Sequence, residues 1–151
     1  LSFAIGDVSG ILHTGEYMGS LAAKSLPLFS VPVVLFLLTC FISFSTGTSW
    51  GSWAIMIPIG VATASAFAFE LGLSLEKANF LLYGSVGAMR GGGIFGDHAS
   101  PISDTTVVSS AASCCDVVNH VKTQLPYSLI VAGISSLLLI LIGLYLQFSL
   151  T

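Results

Sequence analysis

Charge is scarce in this sequence. Four basic and seven acidic residues occur among 151, so that 7% of the residues are charged and the formal net charge is −3. An ordinary soluble domain carries about 25% charged residues. Four basic side chains also provide no surface that would neutralise a phosphate backbone. The scarcity of charge therefore argues against a water-soluble domain and against nucleic acid as a partner.

Motifs for cofactors and structural metals are also missing. The three cysteines, Cys40, Cys114 and Cys115, have neither the C-x-x-C spacing of a zinc site nor the even number of a disulfide framework. No glycine motif that binds phosphates or dinucleotides follows a strand pattern. The sequence therefore predicts no cofactor, and only transported ions remain as bound species.

Apolar residues are abundant, at 54% of the chain, and the mean hydropathy is +0.96. A helix needs about 20 residues to cross the roughly 30 Å of hydrocarbon in a bilayer. Four apolar runs are candidates for such helices, at residues 28–45, 54–73, 79–95 and 125–148. The sequence therefore predicts an all-α integral membrane protein, a multi-spanning helical bundle in the lipid bilayer.

Short apolar segments interrupted by glycine or proline lie between these runs, at residues 3–12, 46–53 and 91–104. Such segments are typical of discontinuous helices, which are broken or re-entrant and form binding sites near the middle of the membrane. Irregular backbone at that depth must face protein or a water-filled cavity. The predicted break and hinge residues are Gly47, Gly51, Gly91, Gly92, Gly93, Gly96 and Pro101.

Two acids, Asp97 and Asp104, lie in the last of these segments. A charge in the middle of a membrane costs at least about 2.5 to 3.5 kcal/mol, so an acid there is a candidate for function. Pro101 removes a helical hydrogen bond between the two acids, which predicts that they flank a break. Hard cations such as Na⁺ favour oxygen ligands, and we predict Asp97 and Asp104 as the Na⁺ ligands.

Hydroxyls and one imidazole near the breaks extend the candidate site. A carboxylate in a medium of low dielectric constant holds a proton or a cation but not easily both, which is the minimum that antiport requires. The candidate residues for binding ions and protons are Asp97, Asp104, Ser100, Ser103, Thr105, Thr46, Thr48, Ser49 and His98.

Structural interpretations of the same residues remain open. Asp104 is equally the residue type that caps an ordinary helix in an extramembrane loop, with Asp97 in solvent. Residues 46–53 also suit a tight turn at the membrane interface. His98 suits a hydrogen-bonded structural histidine as well as a proton carrier.

Three strings of the sequence carry a resemblance to a known family. They are GTSWGSWAIMIPI at residues 47–59, GGGIFGDHASPISDTTVVSSA at residues 91–111 and HVKTQLPYSLIVAG at residues 120–133. In this order and spacing they resemble the C-terminal part of the NhaC-type sodium/proton antiporters, in the ion-transporter superfamily. The chain differs from the expected pattern at Ser52, where threonine is familiar, and at Ala99, where cysteine is familiar.

The resemblance implies a secondary transporter of a bacterial-type inner (plasma) membrane that exchanges Na⁺ for H⁺ by alternating access. It implies two related halves, so that residues 1–151 would form a single membrane domain in the C-terminal half of a longer chain. The missing N-terminal half is then a partner, and a homo-oligomer stays open. The motif positions that carry over are Thr46, Gly47, Thr48, Ser49, Asp97, Ser100, Pro101, Ser103, Asp104 and Thr105.

Three other functions compete with Na⁺/H⁺ exchange. The nearest is a related carrier, coupled to sodium or protons, of an organic acid or amino acid. An intramembrane aspartyl protease also uses two membrane acids, but here Phe95-Gly96-Asp97 replaces G-x-G-D and both acids lie on one short segment. A structural or regulatory membrane subunit would use the breaks for packing alone. The sequence favours a transporter over an enzyme.

Overall fold

The structure, a computed structural model, describes residues 2–148, and in that range it is all-α with no strand. The predicted all-α fold is confirmed. Residue 1 and residues 149–151 of the predicted domain lie outside the described residues. The helices are α1 Ser2–Ile11, α2 Thr14–Ser25, α3 Val31–Thr46, α4 Ser49–Glu70, α5 Leu75–Ala99, α6 Asp104–Ala112 and α7 Val117–Phe148, with a 3₁₀ turn at Leu28–Ser30 before α3.

Three helical segments in the described part of the chain are long and apolar enough to cross a membrane: Leu28–Thr46, Ser49–Glu70 and Val117–Phe148. They correspond to three of the four predicted spans. The last two begin earlier than predicted, since α4 includes part of the segment at 46–53 and α7 continues through Pro126. Membrane helices tolerate an internal proline because neighbouring groups satisfy the freed backbone.

The fourth predicted span, at residues 79–95, lies within α5 but does not belong to this apolar set. Its 25 residues are long enough to cross a bilayer, at about 1.5 Å per residue. However, α5 contacts α3, α4, α6 and α7, and it carries polar and charged side chains. A helix surrounded by other helices can hold polar groups on the sides that lipid does not reach.

The glycines of α5 correct a second prediction. Gly91, Gly92, Gly93 and Gly96 lie inside the continuous α5 and Gly51 lies inside α4, so none of them breaks a helix. Two of them instead allow α3 and α5 to pack closely. A Cβ at Gly92 would lie 2.5 Å from the carbonyl oxygen of Phe36, and one at Gly96 would overlap the backbone of Phe44. Small residues that permit such approach are typical of membrane helix pairs.

Two connections interrupt the helices near each other. Gly47 ends α3 with φ 68°, a left-handed conformation that glycine adopts without steric cost. Residues 100–103, which include Pro101, separate α5 from α6. A Cβ at Gly47 would lie 3.0 Å from the carbonyl carbon of Ile102, so the two connections are in contact. Gly47 and Pro101, which the sequence predicts as hinge residues, both lie in these connections.

Candidate ion-binding site

Asp97 is a buried carboxylate at the end of α5, close to the contact between the two connections. The side chain is 7% exposed. Its Oδ1 accepts a hydrogen bond from the Ser103 hydroxyl at 2.5 Å, and its Oδ2 accepts one from the Ser49 hydroxyl at 3.2 Å. Each carboxylate oxygen thus has its own hydroxyl partner, and the two partners come from different segments of the chain. The alternative in which Asp97 lies in solvent is wrong for the described part of the chain.

The two hydroxyls come from the beginnings of two helices. Ser49 is the first residue of α4, and Ser103 is the N-cap of α6. Helix N-termini carry a partial positive charge that favours a nearby anion. The carboxylate at the C-terminal end of α5 therefore lies near two helix starts, an arrangement that the interrupted helices make possible.

Of the remaining predicted hydroxyls, one is linked to this centre by hydrogen bonds and three have other partners. Thr105 Oγ1 lies 2.8 Å from Ser103 Oγ, which links it to Asp97 through one intermediate. Ser100 is fully buried and accepts a hydrogen bond from the Ile102 backbone. Thr48 caps α4 by accepting from Gly51 N–H, whereas Thr46 bonds the Ile42 carbonyl of its own helix.

Asp104 and His98, also predicted as site residues, lie outside the buried centre. Asp104 is exposed in the first turn of α6, where its Oδ1 accepts the Thr105 N–H at 2.8 Å. His98 is exposed, and its Nδ1 lies 3.0 Å from the Ile94 carbonyl oxygen. Among the described residues, no hydrogen bond joins Asp97 to Asp104, and the two carboxylates have different partners. The structure therefore does not bring the two acids together as ligands of one ion.

Two further residues hold the site together and were not predicted. Thr106 Oγ1 lies 3.3 Å from the His98 carbonyl and 3.5 Å from the Asp97 carbonyl, which fastens α6 to the end of α5. Ser43 donates to the Gly93 carbonyl at 2.6 Å and fastens α3 to α5. The sequence contains a usable signal for Thr106, because two adjacent threonines follow a helix cap. It contains no such signal for Ser43, which lies in an apolar run.

The chemistry of this centre suits a monovalent cation or a proton. One carboxylate and two hydroxyls supply oxygen ligands, and a hydroxyl that donates to the carboxylate keeps lone pairs for a cation. Within residues 2–148 no three His, Cys, Asp or Glu side chains form a group that would hold a metal ion. A hydroxyl-rich site with a single carboxylate is closer to what a hard monovalent cation requires than to a transition-metal site.

A larger cavity lies beside the site, between α5 and α7, with a volume of about 450 Å³. Its lining is mostly apolar, but His98, Gln124 and Ser128 contribute polar groups. A smaller cavity of about 50 Å³ shares His98 and Gln124 with it and reaches α6. The buried carboxylate thus has a predominantly apolar cavity and a small polar cavity nearby.

Comparison with known proteins identifies the class of the chain. Residues 1–144 match the family described as the Na⁺/H⁺ antiporter family. An uncharacterised protein of Haemophilus influenzae is 40% identical over 94% of this chain and 25% of its own length. A malate-2H⁺/Na⁺-lactate antiporter of Bacillus subtilis is 35% identical over 93% of this chain and 28% of its own length.

A third relative, an arginine/ornithine antiporter of Halobacterium salinarum, is 32% identical over 77% of this chain and 22% of its own length. The chain therefore spans about a quarter of the length of these relatives. No solved structure matches it. The family and the named relatives are transporters, not enzymes, and the resemblance in the three strings is confirmed: the chain belongs to the Na⁺/H⁺ antiporter family.

Proposed function

We propose that the full-length protein containing this chain is a secondary transporter of a bacterial-type inner membrane that exchanges Na⁺ for H⁺. The observation that carries the proposal is Asp97, a 7% exposed carboxylate with one hydroxyl on each oxygen. It lies where interrupted helices meet, the position at which secondary transporters bind their ions. Family membership supports the same activity.

The proposed mechanism is competition for one carboxylate. When Asp97 is ionised, its oxygens and the hydroxyls of Ser49 and Ser103 are ligands for Na⁺, with each hydroxyl turning a lone pair toward the ion. When Asp97 is protonated, the neutral acid no longer attracts the cation. Because both occupants neutralise the same buried charge, the loaded site avoids the cost of an uncompensated charge in the membrane. Alternation of access then exchanges one ion for the other.

Proton flux driven by a Na⁺ gradient tests this proposal. The full-length protein is placed in sealed vesicles, and internal pH is followed after Na⁺ is added outside. We expect wild-type protein to move protons and Asp97→Asn to lose the flux, because an amide neither ionises nor takes up a proton at neutral pH. Normal flux in a folded Asp97→Asn protein would exclude Asp97 as the shared site.

A second candidate function is the exchange of an organic acid or amino acid, coupled to Na⁺ or H⁺. The cavity of about 450 Å³ favours it, because small-molecule sites typically have volumes of about 300 to 1,000 Å³ and a mostly apolar lining with a few polar groups. The named relatives exchange malate, lactate, arginine and ornithine.

Transport assays with these solutes separate the two candidate functions. If malate, lactate, arginine or ornithine drives counterflow in the vesicles and Na⁺ alone does not move protons, the organic carrier replaces the cation exchanger. If none of the four solutes is transported while Na⁺ moves protons, the Na⁺/H⁺ exchanger stands.

A further inference from the structure

A chain of hydroxyls leads away from Asp97 on one side. The Ser103 hydroxyl donates to Asp97 Oδ1 at 2.5 Å, and Thr105 Oγ1 lies 2.8 Å from Ser103 Oγ. A serine hydroxyl has one proton to donate, and that of Ser103 goes to the carboxylate. While Asp97 is ionised, Thr105 is therefore the donor to Ser103. Both hydroxyl protons point toward Asp97, as transfer of a proton to the carboxylate requires.

The outer end of this series of hydroxyls, at Thr105, lines the small polar cavity. The cavity has a volume of about 50 Å³ and is lined by residues of α5, α6 and α7, namely His98, Thr105, Thr106, Ser109, His120 and Gln124. One water needs only about 10 to 15 Å³ of such volume, so the cavity has room for water beside Thr105. Hydroxyls, an amide and two imidazoles supply polar partners for a water there.

The two imidazoles are the titratable side chains of this lining. His98 comes from α5 and His120 from α7, and α6 contributes hydroxyls alone. A carbonyl oxygen only accepts, so the contact of His98 Nδ1 with the Ile94 carbonyl places a proton on Nδ1. Nε2 is then the ring nitrogen with a free lone pair, which can accept a proton.

We propose that the Ser103 and Thr105 hydroxyls form a proton-transfer path between the small polar cavity and Asp97. The inference rests on the proposed function, because it supplies the proton that competes with Na⁺. A proton from an imidazolium or a hydronium ion in the cavity binds Thr105 Oγ1 as the Thr105 proton moves to Ser103 and the Ser103 proton moves to Asp97 Oδ1. The carboxylate becomes a neutral acid, the donor loses one positive charge, and no electrons change hands.

The direct hydroxyl partners of the carboxylate are Ser103 at Oδ1 and Ser49 at Oδ2, whereas Thr105 bonds Ser103. Removal of the Thr105 hydroxyl therefore interrupts proton transfer without removing a direct partner of the carboxylate. This separation makes the path testable apart from cation binding.

The test compares two exchange reactions of the full-length protein in vesicles. Na⁺-driven proton flux needs the path, whereas exchange of radioactive Na⁺ for Na⁺ needs no proton. We expect Thr105→Val to slow the proton flux about a hundredfold, in the range that positioned proton-transfer groups contribute, and to leave Na⁺/Na⁺ exchange within about twofold. Thr105→Ser keeps a hydroxyl at the same position and should restore the proton flux.

A matched control is Thr63→Val, which removes a buried hydroxyl that bonds only within α4, to the Ile59 carbonyl. It should change neither exchange reaction. Proton flux in Thr105→Val equal to that of wild type would overturn the path, as would a loss in Thr105→Ser equal to that in Thr105→Val. If wild-type protein exchanges Na⁺ for Na⁺ but never moves protons, the proposed Na⁺/H⁺ exchange is wrong, and the proton-transfer path is excluded as a consequence.

Discussion

The last turn of α5 and the first turn of α6 each carry one aspartate, Asp97 and Asp104, in contrasting surroundings. Asp97 is 7% exposed and accepts two hydroxyl hydrogen bonds from neighbouring segments. Asp104 is exposed and accepts a backbone N–H of its own helix turn. The same residue type is thus a candidate ion ligand on one side of a helix break and a helix-terminus residue on the other. Burial and long-range partners separate the two roles.

The largest expected effect compares Asp97→Asn with Asp104→Asn. Binding of Na⁺ to the purified full-length protein should fall about a hundredfold or more in Asp97→Asn, because a unit charge next to the ion contributes several kcal/mol at an effective dielectric constant near 20. Asp104→Asn should change the affinity by less than about twofold, since exposed charges are screened. Equilibrium binding of radioactive Na⁺ measures both.

The reverse ranking of these two variants would show that Asp104 is the ligand in the assembled protein. Equal losses would favour the original prediction from the sequence, in which both acids bind the ion together. Thermal unfolding of each variant serves as the control for folding.

A second prediction concerns the packing that holds Asp97 in place. A Cβ at Gly96 would overlap the backbone of Phe44, so Gly96→Ala should force α5 away from α3 and destabilise the protein by about 2 to 3 kcal/mol. Gly87→Ala, in the same helix, would meet no atom within 4 Å and should be neutral or slightly stabilising. Thermal unfolding in detergent measures the difference, and equal melting temperatures would contradict the close approach of α3 and α5.

A third prediction concerns the hydroxyl on Asp97 Oδ2. Ser49→Ala removes one hydrogen bond to a charged group and one Na⁺ ligand, and we expect about tenfold weaker Na⁺ binding. Ser45→Ala is the matched control, because its hydroxyl is exposed and bonds the Phe41 carbonyl within α3. Isothermal titration with NaCl compares the two variants. Unchanged affinity in Ser49→Ala would restrict the site to Asp97 and Ser103.

The smallest expected effect concerns Asp104 as a helix-terminus residue. Asp104→Asn removes a negative charge from the first turn of α6, which should lower the free energy of unfolding by less than about 1 kcal/mol. A small shift in the melting temperature that disappears at high salt would identify the charge as the cause. A large shift that persists at high salt would show that Asp104 has a buried partner in the full-length protein.

Much of the architecture was predictable from the sequence because lipid imposes simple rules on composition and length. The apolar runs at 28–45 and 125–148 lie in helices that are long and apolar enough to cross a membrane, and Gly47 and Pro101 lie in the connections between helices. The prediction that the glycines of α5 break the helix was wrong. Glycine has the same local tendency whether it bends a backbone or lets two helices approach, and only the position of α3 distinguishes these cases.

The ranking of the candidate site residues depended on contacts between distant parts of the chain. The residue types and their apolar surroundings were enough to predict a hydroxyl-rich site with carboxylates. Charges and irregular backbone are costly in a membrane and are therefore typical of functional sites. Ser49 and Asp97 lie 48 positions apart and meet because α3 and α5 pack closely and the two connections touch. Local sequence fixes which groups are available to bind an ion. Long-range packing selects which of them surround one carboxylate, because burial and partners are properties of the folded chain.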